Sequence, residues 1–572
     1  MTDLLKRLAP ILLALALGAC ATPEAPAAVP AAATEAPQGA VSAADPRAEA
    51  AGRAILAQGG SATDAAIAVM LALTVVEPQS SGIGGGGFMV RAGEAGVTTF
   101  DGRETAPAAA TPTRFLGPDG EPLPRDRRVI SGLSVGVPGN IALAAKAHAE
   151  HGRLAWRDLF APAIALARDG FVMNRRLHGS LAGAQGRADR SDAARAVFFG
   201  ADGAPLPVGT RITVPALART LERIAEAGPE AFYEDGAEAL AAYVAGETPQ
   251  DGAMSAADIA SYAAKRREPV CTAYRAHRVC GMGPPSSGGI AVAQILGQLE
   301  RFDLAELGPE SVTFWHLFLE SQRLAYADRA RYLGDSDFVE VPLAGLTDPA
   351  YLARRSALID PEKALPVAEP GTPPGAPQAR ADGDEPAERG TSHFAVVDAA
   401  GNAVSYTSTI EGAFGSGLFF GGFYLNNELT DFSLTPEQDG SPVANRVEGG
   451  KRPRSSMAPT VVYDPAGEIV LVIGAAGGTT IPVQVARSVI GVIDFGLSAS
   501  EALALPLVMA FGPTVIVEEG SALAGMTARL EALGHDRIRP VSPPLKANAL
   551  RRTPEGWESA RDPRIEPNLA YE

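Results

Sequence analysis

The chain has 572 residues, 46% of them hydrophobic and 20% charged, enough apolar material for a sizeable core in one large layered domain or several smaller ones. That composition excludes wholesale disorder and a small disulfide scaffold. A formal charge of −17, from 49 basic and 66 acidic residues, opposes any large electrostatic hold on phosphate backbones, so no nucleic-acid partner is expected.

In chain order, Met1 to Cys20 comes first, with basic Lys6 and Arg7 ahead of an apolar run from Leu8 to Leu17 that is too short to span a bilayer. Its ending, Leu17-Gly18-Ala19-Cys20, is similar to a bacterial lipobox. Residues 1–19 then read as a lipoprotein signal peptide and Cys20 as the lipidated first residue of the mature chain. An ordinary secretory signal cut near Ala19 or Ala21 fits the same residues. Pro and Ala dominate residues 20–43, which read as a solvated tether. The expected product is a bacterial periplasmic or cell-envelope domain that touches the membrane only through its N-terminal lipid.

From Ala44 to about Asp360, helical patterns alternate with short apolar runs, which predicts a mixed α and β architecture. Helices are predicted over Ala48 to Gln58, closed by Gly59-Gly60, and over Asp64 to Val75. A third covers Leu159 to Arg168, with Asp158 as N-cap and Gly170 closing it. Gly82, Gly84 and Gly87 satisfy G-x-G-x-x-G, but Phe88-Met89-Val90-Arg91 looks like a strand. A dinucleotide fingerprint must open a helix, so this run reads as a tight turn. His148 and His151 read as a solvated helix end before Gly152. Three cysteines and seven histidines, with no C-x-x-C or H-E-x-x-H spacing, leave little for a metal site, and no metal or other cofactor is expected.

Cys271 and Cys280 bracket a strand-like alternation that a hairpin could fold so that they face each other. The alternatives are a disulfide and two buried free thiols. Residues 361–390, rich in Pro, Gly and charge, read as a flexible connector. Strand-like runs follow on either side of a turn-rich loop at Asp398 to Asn402. If that turn centres on Ala400, facing residues sum to 800, and Thr391 falls opposite Thr409. A threonine hydroxyl is a useful nucleophile only with a base in reach. One that heads a chain can use its own α-amino group, and cleavage before Thr391 would create that arrangement.

Several ordered segments carry a resemblance over the chain from about Ala44 onward. They are Gly59-Gly60-Ser61-Ala62-Thr63-Asp64-Ala65-Ala66, Gly84-Gly85-Gly86-Gly87-Phe88, Gly102-Arg103-Glu104-Thr105-Ala106-Pro107 and Pro284-Pro285-Ser286-Ser287-Gly288-Gly289. Further on come Ala325-Tyr326-Ala327-Asp328-Arg329, Gly390-Thr391-Ser392-His393, Lys451-Arg452-Pro453-Arg454-Ser455-Ser456-Met457, Gly477-Gly478 and Asp562-Pro563-Arg564. The sequence resembles the γ-glutamyltranspeptidase (glutathione hydrolase) family. The resemblance implies an α+β fold, the four-layer αββα sandwich of the N-terminal-nucleophile hydrolases, made as a precursor that cuts itself between Gly390 and Thr391. It implies a large subunit over residues 44–390 and an intertwined small subunit over 391–572.

By the same resemblance, Thr391 is the nucleophile, Thr409 orients it, and the Gly477 and Gly478 N–H groups receive the oxyanion. Arg103, Ser455 and Ser456 would hold the substrate α-carboxylate, and Glu428 and Asp431 the α-ammonium. The implied substrates are γ-glutamyl compounds such as glutathione and glutamine-like amides, with water, amino acids or peptides as acceptors. Glu411 stands where the family usually has Asn, and adds a third carboxylate near the ammonium subsite. Ser392 replaces a commoner Thr. Arg454 replaces a usual Leu and is expected to add positive charge at the pocket edge. The segment from Ser433 to Gly450 aligns with the family's lid loop but looks shorter, which implies a partly open site. Two other readings are an acylase of the same fold, of cephalosporin or glutaryl type, and a lipid-anchored binding protein without the chemistry.

Overall fold

The computed structural model describes residues 39–377, 380–383, 390–542 and 545–571; the signal segment, Cys20 and the tether as far as residue 38 lie outside them. Among the described residues, twelve strands build two main sheets. In chain order they are β1 (Ala40–Ala43), β2 (Gly86–Gly93), β3 (Gly96–Gly102), β4 (Lys265–Arg267), β5 (Val270–Tyr274), β6 (His277–Gly281), β7 (Ser392–Val397), β8 (Ala403–Thr409), β9 (Thr460–Tyr463), β10 (Ile469–Ala476), β11 (Lys546–Thr553) and β12 (Gly556–Arg561). The first sheet has the order β1-β7-β8-β2-β3-β4 and the second β12-β11-β10-β9-β6-β5. All their pairings are antiparallel.

The core is sorted by strand alternation. On β7, Phe394 and Val396 face a cluster shared with helices α1 (Pro46–Ala57) and α2 (Ala62–Val76), while Ala395 and Val397 join the cluster between the sheets. A strand buried on both faces is what centres a sandwich. All fifteen residues of α2 are buried, so it carries no polar stripe, and each of its Val, Leu and Ile side chains contributes about 1.5–3 kcal/mol by leaving water. Behind the second sheet lie α6 (Gly288–Leu299), α7 (Val312–Tyr332) and α8 (Ile481–Ile493). On the α2 side lie α3 (Asn140–His151), α4 (Ala161–Asp169) and α5 (Arg175–Gly183). The result is the four-layer αββα sandwich. Ser405 stitches the two sheets together, donating from Oγ to the Ile473 carbonyl (3.0 Å) and accepting from Thr460 N (2.9 Å).

Several boundaries differ from the sequence reading. α2 begins at Ala62, because Ser61 and Asp64 cap each other: Ser61 Oγ accepts from Asp64 N, and Asp64 Oδ2 accepts from Ser61 N. Asp158 is not an N-cap; it lies inside a 3₁₀ turn, Trp156–Phe160, and α4 starts after it with Pro162 in its first turn. The end of the expected tether is structural, since Ala40–Ala43 pairs with β7. Alanine and valine suit a strand flanked by packed helices as well as they suit a tether. The Gly82 run leads into β2 rather than a helix.

The described parts of the connector are tied down rather than loose. The Gly371 N–H donates to Asp328 Oδ1 (2.7 Å), its carbonyl accepts from the Tyr332 hydroxyl (2.6 Å), and Ala381 bridges Val443. Proline and glycine forbid a long helix or strand there, but not docking. Cys271 and Cys280 face each other across β5 and β6, with Cα atoms 4.1 Å apart, and form a disulfide.

Candidate active site

Residue pairs from Ala403–Val397 to Ser408–Ser392 all sum to 800, so continuing the ladder sets Thr391 against Thr409 at the head of β7. Thr391 Oγ1 donates to Thr409 Oγ1 at 3.1 Å, and the Glu411 N–H donates to the same Thr409 oxygen at 2.8 Å. Thr409 is therefore held from one side and holds the Thr391 hydroxyl from the other. Thr391 has φ 154°, a region that a β-branched residue enters only under strain. Gly390 precedes it with no room for a side chain, since a Cβ there would overlap the Glu411 carbonyl. The strained residue, the glycine and the oriented hydroxyl thus meet at one peptide bond.

Beneath this junction lies a charged cluster that the sequence reading did not find. Ser392 Oγ donates to Glu77 Oε2 (2.6 Å), and Lys546 Nζ donates to both Glu77 Oε2 (2.9 Å) and Ser392 Oγ (3.0 Å). Arg176 of α5 pairs with Glu77 Oε1 at 3.0 Å. Burial alone would raise the Glu77 carboxyl, but Arg176 and Lys546 overcome it and hold the group at about 2. Burial, helped by Arg176, pushes the Lys546 ammonium down to about 7. Ser392 stands in a quoted motif, but nothing in the sequence links it to Glu77 and Lys546, which lie 469 residues apart.

β10 ends at Ala476, opposite Lys546, and the chain turns through Gly477 (φ 129°) and Gly478 (φ 59°) into α8. Thr480 closes the turn on the carbonyl of Gly477, from N (3.3 Å) and from Oγ1 (2.9 Å). The amides of Gly477 and Gly478 are left at the N-terminal end of a thirteen-residue helix, where negative charge is favoured. The Tyr326 hydroxyl braces the turn through the Thr479 carbonyl.

The predicted carboxylate-holder and ammonium-holders pair with one another. Arg103, just after β3, binds Glu428 and Asp431 and also donates to the carbonyls of Pro453 and Arg454, both at 3.1 Å. Glu104 is buried beside them, its Oε2 4.0 Å from Arg103 Nη1. Burial pushes Glu104 up to about 7 and raises Glu428 well above the carboxylate range, against the pull of Arg103. Burial, aided by Asp431, raises Glu411 to about 8, while Arg187 opposes the rise; the Asn427 side-chain amide bonds Glu411. The pocket therefore gathers four carboxyls around Arg103 and Arg187, not the three read from sequence. Glu104 stood in a quoted motif, next to Arg103, which was the available signal. Arg187 had none.

Ser455 Oγ accepts from Met457 N (3.1 Å), and Ser456 Oγ accepts from Arg329 Nη2 (2.8 Å). Arg329 also donates to Ser287 Oγ (2.7 Å), whose hydroxyl donates to the Ser455 carbonyl (2.6 Å). Two quoted motifs thus acquire a task, holding the serine pair. Arg454 is not at an open pocket edge. It is 2% exposed, and its guanidinium donates to the Arg329 carbonyl.

Two packed antiparallel sheets between helical layers, with a buried threonine at the head of a central strand, define the class of N-terminal-nucleophile hydrolases. The family model described as gamma-glutamyltranspeptidase matches residues 48–571, and the chain belongs to that family. It is 39% identical over 483 residues to the glutathione hydrolase proenzyme of Escherichia coli, covering 82% of this chain and 80% of that protein. Among solved structures, a cephalosporin acylase from Bacillus halodurans superposes with a TM-score of 0.80 at 27% identity, over 92% of this chain and 95% of that one. The Helicobacter pylori γ-glutamyltranspeptidase superposes with a TM-score of 0.54 at 35% identity, over 56% of this chain and 91% of that one.

Proposed function

We propose that the chain cuts itself between Gly390 and Thr391 and then works as a γ-glutamyltransferase and glutathione hydrolase. The observation that carries this reading is the Thr391 hydroxyl, oriented by Thr409 at a strained peptide. In the precursor, Thr391 Oγ1 adds to the Gly390 carbonyl, and the C–N bond breaks to leave an ester and a free Thr391 amine. Water hydrolyses the ester, separating residues up to 390 from residues 391–572. In the mature enzyme the amine takes the Oγ1 proton, directly or through water, as Oγ1 attacks the γ-carbonyl of the donor. Gly477 and Gly478 receive the oxyanion, the proton passes to the departing amine, and the γ-glutamyl ester of Thr391 remains. Water or an amino acid or peptide amine then takes the acyl group.

In this reading the donor's α-carboxylate engages Arg103, Ser455 and Ser456, and its α-ammonium lies among Glu411, Glu428 and Asp431. We place the enzyme at the cell envelope, held by lipid on Cys20. Among the described residues no helix is long and apolar enough to cross a membrane.

Glutaryl donors separate this function from the acylase alternative, because they lack the ammonium and would leave carboxylates uncompensated. kcat/KM for γ-glutamyl anilides is expected to exceed that for glutaryl anilides by about 100-fold, since the lost ion pairs are worth roughly 3 kcal/mol. Equal values would favour the acylase.

A pH dependence follows from the raised carboxyls. While protonated they attract the ammonium weakly, and they ionise as pH rises through about 7 for Glu104 and about 8 for Glu411. Donor KM should therefore fall between pH 6 and 8.5, and Glu411→Asn should remove the upper part of that fall without slowing self-cleavage. A KM that is flat with pH in the wild type would contradict the pocket's electrostatics.

A further inference from the structure

We propose that Lys546 is a positioning residue for Thr391, a buried cation that fixes the start of β7 through Ser392 and holds the freed Thr391 amine in its neutral, basic form. The proposal rests on the reading of Thr391 as an N-terminal nucleophile.

The geometry is specific. Lys546 is 3% exposed, and its ammonium is shared between Ser392 Oγ and Glu77 Oε2. Ser392 is the residue after the nucleophile. On its own strand Lys546 stands opposite Ala476, the residue before Gly477. One residue therefore links the segment that carries the hydroxyl, through its side chain, and the segment that offers the oxyanion N–H groups, through its backbone strand pairing.

The charges around it come from every neighbouring element: Glu77 at the end of α2, Arg176 on α5, and Asp45 ahead of α1. Asp45 is paired with Arg47 at 2.6 Å, so Lys546, Arg176 and Arg47 against Glu77 and Asp45 leave one positive charge on the cluster under Thr391. A buried positive charge disfavours a second one, so it lowers the pKa of the new α-amine below the usual value of about 7.7–8.0. Burial places the Lys546 ammonium near neutrality, so its own charge is sensitive to the amine that appears on cleavage. A lysine buried only for packing would not need to face the residue next to the nucleophile.

The test compares wild type, Lys546→Met and Lys546→Arg in the self-cleaved protein, reading kcat and KM for a γ-glutamyl anilide as a function of pH. In wild type the acid limb of kcat, which reports the donor-bound enzyme and is separate from the pH dependence of KM, should lie below pH 7. Lys546→Met should move that limb up by about one unit and lower kcat by roughly three- to fivefold at neutral pH, approaching tenfold on the acid side, with donor KM unchanged. Lys546→Arg, which keeps the cation, should restore the limb.

An acid limb at or above pH 8 in the wild type would overturn the proposal without any variant, so it survives as a testable claim even if Lys546→Met does not fold. A Lys546→Met enzyme with the wild-type limb would also overturn it. A wild-type chain that is never cut would instead sink the reading of Thr391 on which it rests.

Discussion

Thr391→Ala is expected to leave the chain in one piece and to lower turnover of γ-glutamyl amides by about 10⁴-fold or more, the scale seen when a covalent nucleophile is removed. The reasons lie at one junction. Alanine keeps the backbone and the packing of β7 but removes the only atom that can attack either the Gly390 carbonyl or the donor. Uncut, the residue also has no amine to serve as base. Thr391→Ser keeps the hydroxyl within reach of Thr409 and should still cleave, more slowly, because the lost methyl frees the side chain to rotate. Comparing the two separates loss of chemistry from loss of shape. Thr391→Ala that retained more than a hundredth of the wild-type rate would place the nucleophile elsewhere.

The second large effect is expected at Arg103. Its guanidinium is 1% exposed and sits among Glu104, Glu428 and Asp431, so Arg103→Met would leave buried carboxyls without their main cation. Removing one partner of such a cluster costs about 3–5 kcal/mol where the charges persist. Carboxyls whose folded pKa is raised bind protons that the unfolded chain has released, so their contribution to stability falls as pH rises from about 4.5 toward the folded value. Without Arg103 those values rise further and the fall deepens. The difference in Tm between variant and wild type should therefore widen from pH 5 to pH 8. Donor kcat/KM should drop by about 10³-fold, since the α-carboxylate also loses its charged partner. A Tm difference independent of pH would show that the loss was one of packing alone.

How much was legible in the sequence depended on how far apart the interacting residues lie along the chain. The relation of Thr391 to Thr409 follows from hairpin arithmetic, because an antiparallel ladder with one turn has a single constant sum, and the observed ladder has the value 800. The facing of Cys271 and Cys280 is of the same local kind. Helix starts were less legible. The capping box from Ser61 to Asp64 was present as a pattern, yet the first turn was placed inside it, and Asp158 offered a plausible cap that a 3₁₀ turn took instead. The cluster of Glu77, Ser392 and Lys546 could not be read at all. It joins the end of a helix, the head of β7 in one sheet and the start of the interior strand β11 in the other, and only the stacking of the two sheets brings them together. Arg187 reached Glu411 in the same way, from a turn more than two hundred residues earlier.

The most direct test of the central claim is denaturing intact-mass analysis of the chain produced without residues 1–20, which keeps β1 whole. The account predicts two species, residues 21–390 and 391–572, with threonine at the N-terminus of the second and neither species formed by Thr391→Ala. A single uncut chain, or a cut at any other peptide bond, would contradict it.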